Sequence, residues 1–451
     1  MVQDLKVFGS AVETNAIWKK NGPFIFYVFQ CFNFIRNLKG MKDEQEAVGL
    51  KKQLGTMQIL LYGVGTMLGA GIYVLVGKVA GYSGTLAPLS FLLAGVLAGM
   101  TAYSYSLLTP RFPKSGGEIV YVYKAFNSKQ LASLVGWGVI FTGFISAAAI
   151  LKGFVGYLDV FVKIPDAWVI IVGMTLLSLL AIWGIGESLN VIGLVTLIEV
   201  GGLIFVIFVA GMDMEKFTAQ FSQMFLKAPG YDVFAVFQGA FLAFYAFVGF
   251  EDLANVAEEA KNPKKSMPIA IMGSLFIALF LYIAVAVVAV VSLPLNELST
   301  TNAPMADIVA SKGQQYAYSI SLISLVAVLN GVFAQLIMGS RVLYGMAGQN
   351  SAPKLFHKVH KKYRTPILAT LTIALGIVLL AIFVPIVQLA NTASYVIISV
   401  FTLVNLSQAK LAFKDYGKKC WGNRKFLIPL IAAFLCIVFL SYKVLAVVSL
   451  T

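Results

Sequence analysis

Charge is the scarcest property of this sequence. Only 12% of its 451 residues are charged, against about 25% in soluble globular proteins. So few charges cannot cover a water-facing surface, which excludes an ordinary soluble domain. Histidine is almost missing, with His357 and His360 alone, and Cys31, Cys420 and Cys436 form no close pair. Neither a metal centre nor a disulfide framework is expected. No nucleophile–base pair stands near an aqueous edge, so the chain does not read as an enzyme and implies no cofactor. The GxGxxxG letters within 63–69 lack the lysine and hydroxyl of a phosphate-binding loop, which removes an internal nucleotide-driven motor.

Apolar residues fill the space that charge leaves, at 59% of the chain. Many runs reach the roughly 20 residues that cross a hydrocarbon layer. The fold class expected is an all-α polytopic membrane protein, with about eleven transmembrane helices. They fall near 57–77, 86–108, 130–157, 167–186, 189–210, 233–257, 267–292, 317–346, 367–386, 390–411 and 426–445. Lysine and arginine crowd ahead of the first span and into 111–129, 261–265, 341–365 and 410–425. That bias puts the N-terminus in the cytoplasm. It also assigns the net charge of +14 to anionic lipid at the cytoplasmic face rather than to nucleic acid. The aromatic run at 21–35 is too short to span; an interfacial segment and a translated extension upstream of Met41 are both open readings.

One stretch is too rich in glycine for a plain helix: GVGTMLGAGIYVLVG at 63–77. Each glycine costs a helix about 1 kcal/mol against alanine, and broken backbone in a membrane survives only where protein, water or ligand meets its polar groups. An unwound segment here exposes N–H groups of Gly69, Ala70 and Gly71 toward a carboxylate, at the positive end of the helix resuming near Ile72. Close packing through Gly65 and Gly69 is the competing reading. The stretch 239–265 is the natural partner. It meets Gly249 and then Glu251 and Asp252, and a break there frees carbonyls at Tyr245–Phe247 for an ammonium group; plain packing of Tyr245 and Phe247, with the acids at a cytoplasmic helix end, is the competing reading. Glu199, deep in the fifth span beside the small pair Gly201 and Gly202, is a candidate to load and release a proton. A structural acid and a cation-holding carboxylate remain open there.

Four motifs carry a resemblance. They are GTMLGAGIYVLVG at 65–77, AYSYSLLTPRFPKSGGEIVYVYKAF at 102–126, FLAFYAFVGFEDLANVAEEAKNPKKSMP at 241–268 and SRVLYGMAGQNSAPKLFHKVHKKYRTP at 340–366. In this order and spacing the chain resembles the amino acid–polyamine–organocation superfamily of permeases, in the bacterial and archaeal branch similar to cationic amino acid transporters. The resemblance implies a leucine-transporter-type fold with a five-plus-five inverted repeat and discontinuous helices 1 and 6. It divides the chain into an N-terminal segment 1–56, repeats 57–210 and 211–411, and a loop with a last helix at 412–451. It places carboxylate binding on Gly69, Ala70 and Gly71, with Ile72 in the lining, and ammonium binding and an aromatic gate on Tyr245, Phe247 and Val248. Glu251 takes the place of a family aspartate, and with Glu199 it is a proton-coupling candidate. Some proton-coupled relatives carry lysine where this chain offers Glu199, and the usual twelfth span is absent or truncated. The function implied is uptake of an amino acid across a bacterial or archaeal cell membrane by proton symport, in a monomer or homodimer. Exchange, polyamine transport and a non-transporting sensor are the alternatives.

Overall fold

The computed structural model describes residues 54–69, 71–114, 116–183, 189–212, 218, 233–360, 363 and 365–448. The 21–35 run and Ala70 lie outside them. Among the described residues the regular structure is helical, with one isolated bridge between Leu54 and Ala260. This follows from the solvent: in hydrocarbon an unpaired backbone group costs several kcal/mol, and a helix pairs its own.

Nine helices among these residues are long and apolar enough to cross a membrane, and Thr56–Leu68 and Ile367–Phe383 are shorter apolar ones. One of the nine, Ile72–Arg111, turns at Gly84 (φ 58°), and its first part continues Thr56–Leu68 after a break. Eleven spans result. Span one is Thr56–Leu68 with Ile72–Ser83, span two Ala87–Arg111, span three Lys129–Leu158, span four Asp166–Trp183 and span five Leu189–Ala210. Span six is Val233–Phe244 followed by the 3-10 segments Tyr245–Phe247 and Phe250–Glu259. Spans seven to eleven are Pro263–Ser292, Gln314–Gly348, Ile367–Phe383, Ile386–Tyr416 and Arg424–Val448. Phe208, Phe276, Phe280 and Phe383 are exposed, as a lipid-facing perimeter permits.

Spans one and six, each the first helix of a five-span set, are the two that come apart. Span two packs along its counterpart span seven, and span three along span eight. The arrangement is a polytopic fold of the leucine-transporter type. Outside the spans, FPKSGG ends span two: Gly116 takes a left-handed φ of 80° and the surface helix Gly117–Phe126 follows. At the opposite end, the short helices Leu295–Thr300 and Pro304–Ala310 join spans seven and eight. They lie over the second half of span one, where Lys78 Nζ donates to the Ser299 carbonyl at 2.8 Å. At the basic end, Leu54 donates to the Glu259 carbonyl and accepts from Lys261, both at 3.0 Å. The chain entering span one is thereby clipped to the end of span six.

Candidate functional site: the paired helix breaks

The first half of span one stops at Leu68, and Gly69 closes it with an N–H bond to Gly65 of 3.2 Å. The helix restarts when the Gly71 carbonyl accepts from Leu75 at 2.9 Å. In span six the 3-10 turn Tyr245–Phe247 ends as Val248 goes extended (ψ 129°), and Gly249 takes φ 132°, which an L side chain rarely adopts. The two breaks face each other. A Cβ built on Gly71 would lie 2.1 Å from Ala246 Cα, and one on Gly249 would lie 2.8 Å from the Thr66 carbonyl oxygen. Thr66 also ties the two together, its hydroxyl donating to the Gly249 carbonyl at 3.0 Å.

Tyr282 of span seven joins both. Its hydroxyl lies 2.8 Å from the Met67 carbonyl and 2.8 Å from the Ala246 carbonyl, so one proton is shared between the loose ends of two broken helices. Its ring meets Phe247 edge-on at 5.0 Å. Tyr245 donates to the Ser146 carbonyl of span three at 3.0 Å. Ile72, Tyr245, Phe247 and Val248 are all buried. The carbonyls expected to stand free are partly engaged: Tyr245 accepts from Val248 N–H at 3.1 Å, and Ala246 from Tyr282. Each keeps a second lone pair for a further donor.

Glu199 is buried in span five, with Oε1 accepting from Asn330 Nδ2 of span eight at 2.9 Å and Oε2 without a partner among the described residues. Its carbonyl accepts from the Tyr73 hydroxyl at 2.6 Å, two residues past the first break. Asn330 precedes Gly331, whose added Cβ would meet the Gly69 carbonyl carbon at 3.2 Å. One glutamate thus touches the restart of span one through Tyr73 and its broken end through span eight. Glu251 Oε2 accepts from Gly249 N–H at 2.8 Å and caps the break in span six. Its neighbour Asp252 accepts from Gln335 Nε2 at 3.0 Å, while Asp252 Oδ1 and Gln335 Oε1 are buried without partners among the described residues.

The amino acid permease family model matches residues 58–450. The chain belongs to that family. Among its relatives is a vacuolar protein of Arabidopsis thaliana named cationic amino acid transporter 2, 30% identical over 83% of this chain and 63% of that protein. The chain therefore spans under two thirds of the length of this plant relative. The branched-chain amino acid permease BcaP of Bacillus subtilis is 28% identical over 86% of the chain and 87% of its own. A Bacillus subtilis methylthioribose transporter is 25% identical over 89% and 91%. A Na+-coupled sialic acid symporter, solved in a substrate-bound outward-open state, shares the fold with a TM-score of 0.57 at 13% identity, over 85% of this chain and 90% of that one.

In this amino acid permease family member, close packing and a broken helix coexist along span one. An added Cβ on Gly65 would lie 2.2 Å from Thr196 Oγ1 of span five, while Gly69 presses on Gly331. The small pair in span five divides: Gly202 lies against Ile323 and Tyr73, whereas Gly201 has nothing within 4 Å and faces outward. Only Gly202 is a packing residue. Tyr73, Tyr282, Asn330 and Gln335 carry no local signature in the sequence, being single polar groups in apolar runs. Phenylalanine at 282 is expected to lower thermal stability and cut uptake about tenfold. Removing a partner from a buried carbonyl costs about 1–3 kcal/mol, while the Phe247 ring packing survives. A thermal midpoint and uptake rate both equal to wild type would show that Tyr282 does not hold the breaks together.

Glu118 lies outside the spans, on the surface helix, and accepts from the Tyr105 hydroxyl at 3.1 Å. Burial pushes its carboxyl up to about 7, against the lowering effect of its backbone and Tyr105 hydrogen bonds. The unfolded chain releases this proton near 4.5 and the folded one near 7. The folded state therefore holds it in between, and stability present at low pH is lost as pH rises through 7. Glu118→Gln carries no such penalty. Its thermal midpoint should exceed wild type by a margin that grows from pH 5 to pH 8 and then levels, worth about 3 kcal/mol at most. A difference that does not change with pH refutes this.

Proposed function

We propose that the chain is a secondary transporter that takes up an amino acid across the membrane of a bacterial or archaeal cell, driven by protons. The reading rests on one observation: two broken helices meet with Gly71 against Ala246, their loose ends tied by Tyr282. A zwitterion needs both polarities at one place. The restart of span one, at Gly71 and Ile72, offers N–H groups to its carboxylate; the Gly69 N–H, expected to share that role with Ala70, is instead held by the Gly65 carbonyl at 3.2 Å. The carbonyls around Tyr245, Phe247 and Val248 serve its ammonium group. Burial of Tyr245 and Phe247 removes apolar surface from water as the site closes. Transport then needs no covalent step, only alternate opening to either side.

Protons enter through Glu199, with Glu251 the second candidate. A carboxyl group with one oxygen unpartnered among the described residues, in a residue that touches both ends of the span-one break, gives its proton state a direct hold on the break. A gradient of one pH unit supplies about 1.4 kcal/mol per proton, enough for about tenfold accumulation. The basic end of the bundle, with Lys261, Lys264, Lys265 and Lys354, faces the cytoplasm together with the N-terminus. Membership of a family with cationic and branched-chain amino acid transporters supports the substrate class.

Uptake into proteoliposomes, with a panel of labelled amino acids and with methylthioribose and a polyamine as controls, tests this. Expected is saturable accumulation of one amino acid class that an inward proton gradient raises about tenfold. Accumulation equal with and without the gradient rejects proton drive, and uptake that demands internal substrate establishes exchange. Binding without flux would leave a sensor.

A further inference from the structure

A shallow, open cavity of about 660 Å³ lies at the surface where spans two, ten and eleven meet at the basic end. Tyr103 of span two, Tyr416 at the end of span ten, and Lys419, Asn423, Arg424 and Lys425 of the following turn and helix line it. Three cations converge there, all with exposed side chains, and none is paired with a carboxylate among the described residues. The neighbouring acid, Asp415, is taken: both terminal nitrogens of Arg111 hold it, at 2.6 and 3.1 Å. The frame behind the cations is pinned. Asn423 N–H donates to the Cys420 carbonyl at 2.8 Å, Lys425 N–H donates to Asn423 Oδ1 at 2.9 Å, and Gln408 Nε2 donates to the Lys425 carbonyl at 3.1 Å. Gly417, at φ 55°, makes the tight exit from span ten that brings these residues back over it.

The apolar surroundings identify the kind of anion. Trp421 is 65% exposed beside the cavity, its ring meeting Phe426 edge-on at 5.4 Å, the placement of an indole at headgroup depth. Beyond it Phe413, Ile431 and Phe434 are exposed along spans ten and eleven. A free phosphate ion would use the cations and nothing else. A lipid would use the cations and the apolar wall together.

We infer that this cavity holds the phosphodiester headgroup of an anionic membrane lipid, whose acyl chains lie on the exposed face of spans ten and eleven. Arg424 forks onto two phosphate oxygens, Lys419 and Lys425 add point charges, and the Tyr103 and Tyr416 hydroxyls donate to the remaining oxygens. The headgroup then bridges span two to the turn that carries span eleven, away from the paired helix breaks of the candidate transport site.

The test uses the full chain, purified and stripped of lipid, with native mass spectrometry reading retained lipid. Phosphatidylglycerol, phosphatidylcholine and inorganic phosphate are the probes. Phosphatidylglycerol is expected to bind at least tenfold more tightly than phosphatidylcholine. K419Q/R424Q/K425Q should weaken it about a hundredfold, since each cation near an anionic headgroup contributes about fivefold. The charge-matched K264Q/K265Q/K354Q variant should stay within about threefold of wild type, as its lysines lie elsewhere on the basic end. Equal retention of the two lipids by wild type overturns the proposal, and this arm stands even if the triple variant does not fold. So does an equal loss in the matched variant, which would reduce the effect to diffuse charge. Displacement of the lipid by equimolar inorganic phosphate would assign the cavity to the free ion and overturn it likewise.

Discussion

Alanine at position 71 is expected to abolish uptake, lowering it a hundredfold or more, in a protein that still folds. The added Cβ would lie 2.1 Å from Ala246 Cα and 2.3 Å from Ala246 Cβ, and the first of these is backbone that cannot rotate away. The two breaks must separate by more than an ångström to admit one methyl group, and misplacement on that scale costs about a hundredfold where binding geometry decides the rate. Ala246→Gly in the same protein should not restore uptake, because the backbone of residue 246 still stands 2.1 Å from the new methyl group. Gly201→Ala is the control: it sits in a span, has nothing within 4 Å and should transport like wild type. Initial rates in proteoliposomes, with thermal midpoints to show folding, decide the matter. Wild-type uptake by Gly71→Ala would mean that the breaks need not touch in any step of transport.

Glutamine at position 199 should erase gradient-driven accumulation, from about tenfold at one pH unit to none, and leave exchange of internal for external substrate measurable. The change keeps the length of the side chain and its bond to Asn330, now 2.9 Å from Oε1, but removes the group that can carry a proton. The Tyr73 bond goes to the backbone carbonyl and does not depend on the side chain. A purely structural acid gives a different pattern, with both accumulation and exchange falling together along with the thermal midpoint. Full accumulation by Glu199→Gln would move the proton elsewhere, with Glu251 the next candidate. Asn330→Ala separates the two further. It strips the one partner seen on Oε1 and should shift the pH dependence of accumulation without removing the titratable group.

The breaks themselves were legible because they are local. Glycine at 63, 65, 69 and 71 makes a continuous helix expensive wherever the rest of the chain goes, and Gly249 can hold φ 132° where a side chain could not. Pro113 with Gly116 and Gly117 marks the end of span two and the start of a surface helix by the same kind of argument. Span boundaries followed from apolar length, since hydrocarbon thickness sets it. Other residues followed no such rule. Tyr282 lies 215 residues from Met67 and 36 from Ala246, and a tyrosine in an apolar run gives no sign that its hydroxyl will serve both. Asn330 and Gln335 meet Glu199 and Asp252 only because span eight passes both. Gly201 and Gly202 look alike in the sequence, and only the direction of each decides that one packs and the other faces outward.

The amino acid order alone determined that this chain is a helical membrane protein and where two of its helices must come apart, because those outcomes depend on the cost of exposing backbone and charge, which is summed over neighbours in the chain. The tertiary structure alone decided what those openings face: Ala246 against Gly71, one tyrosine hydroxyl between two carbonyls, and a carboxyl group with one oxygen unpartnered among the described residues. Such meetings join residues tens to hundreds of positions apart, and they exist only once eleven rods have found their packing.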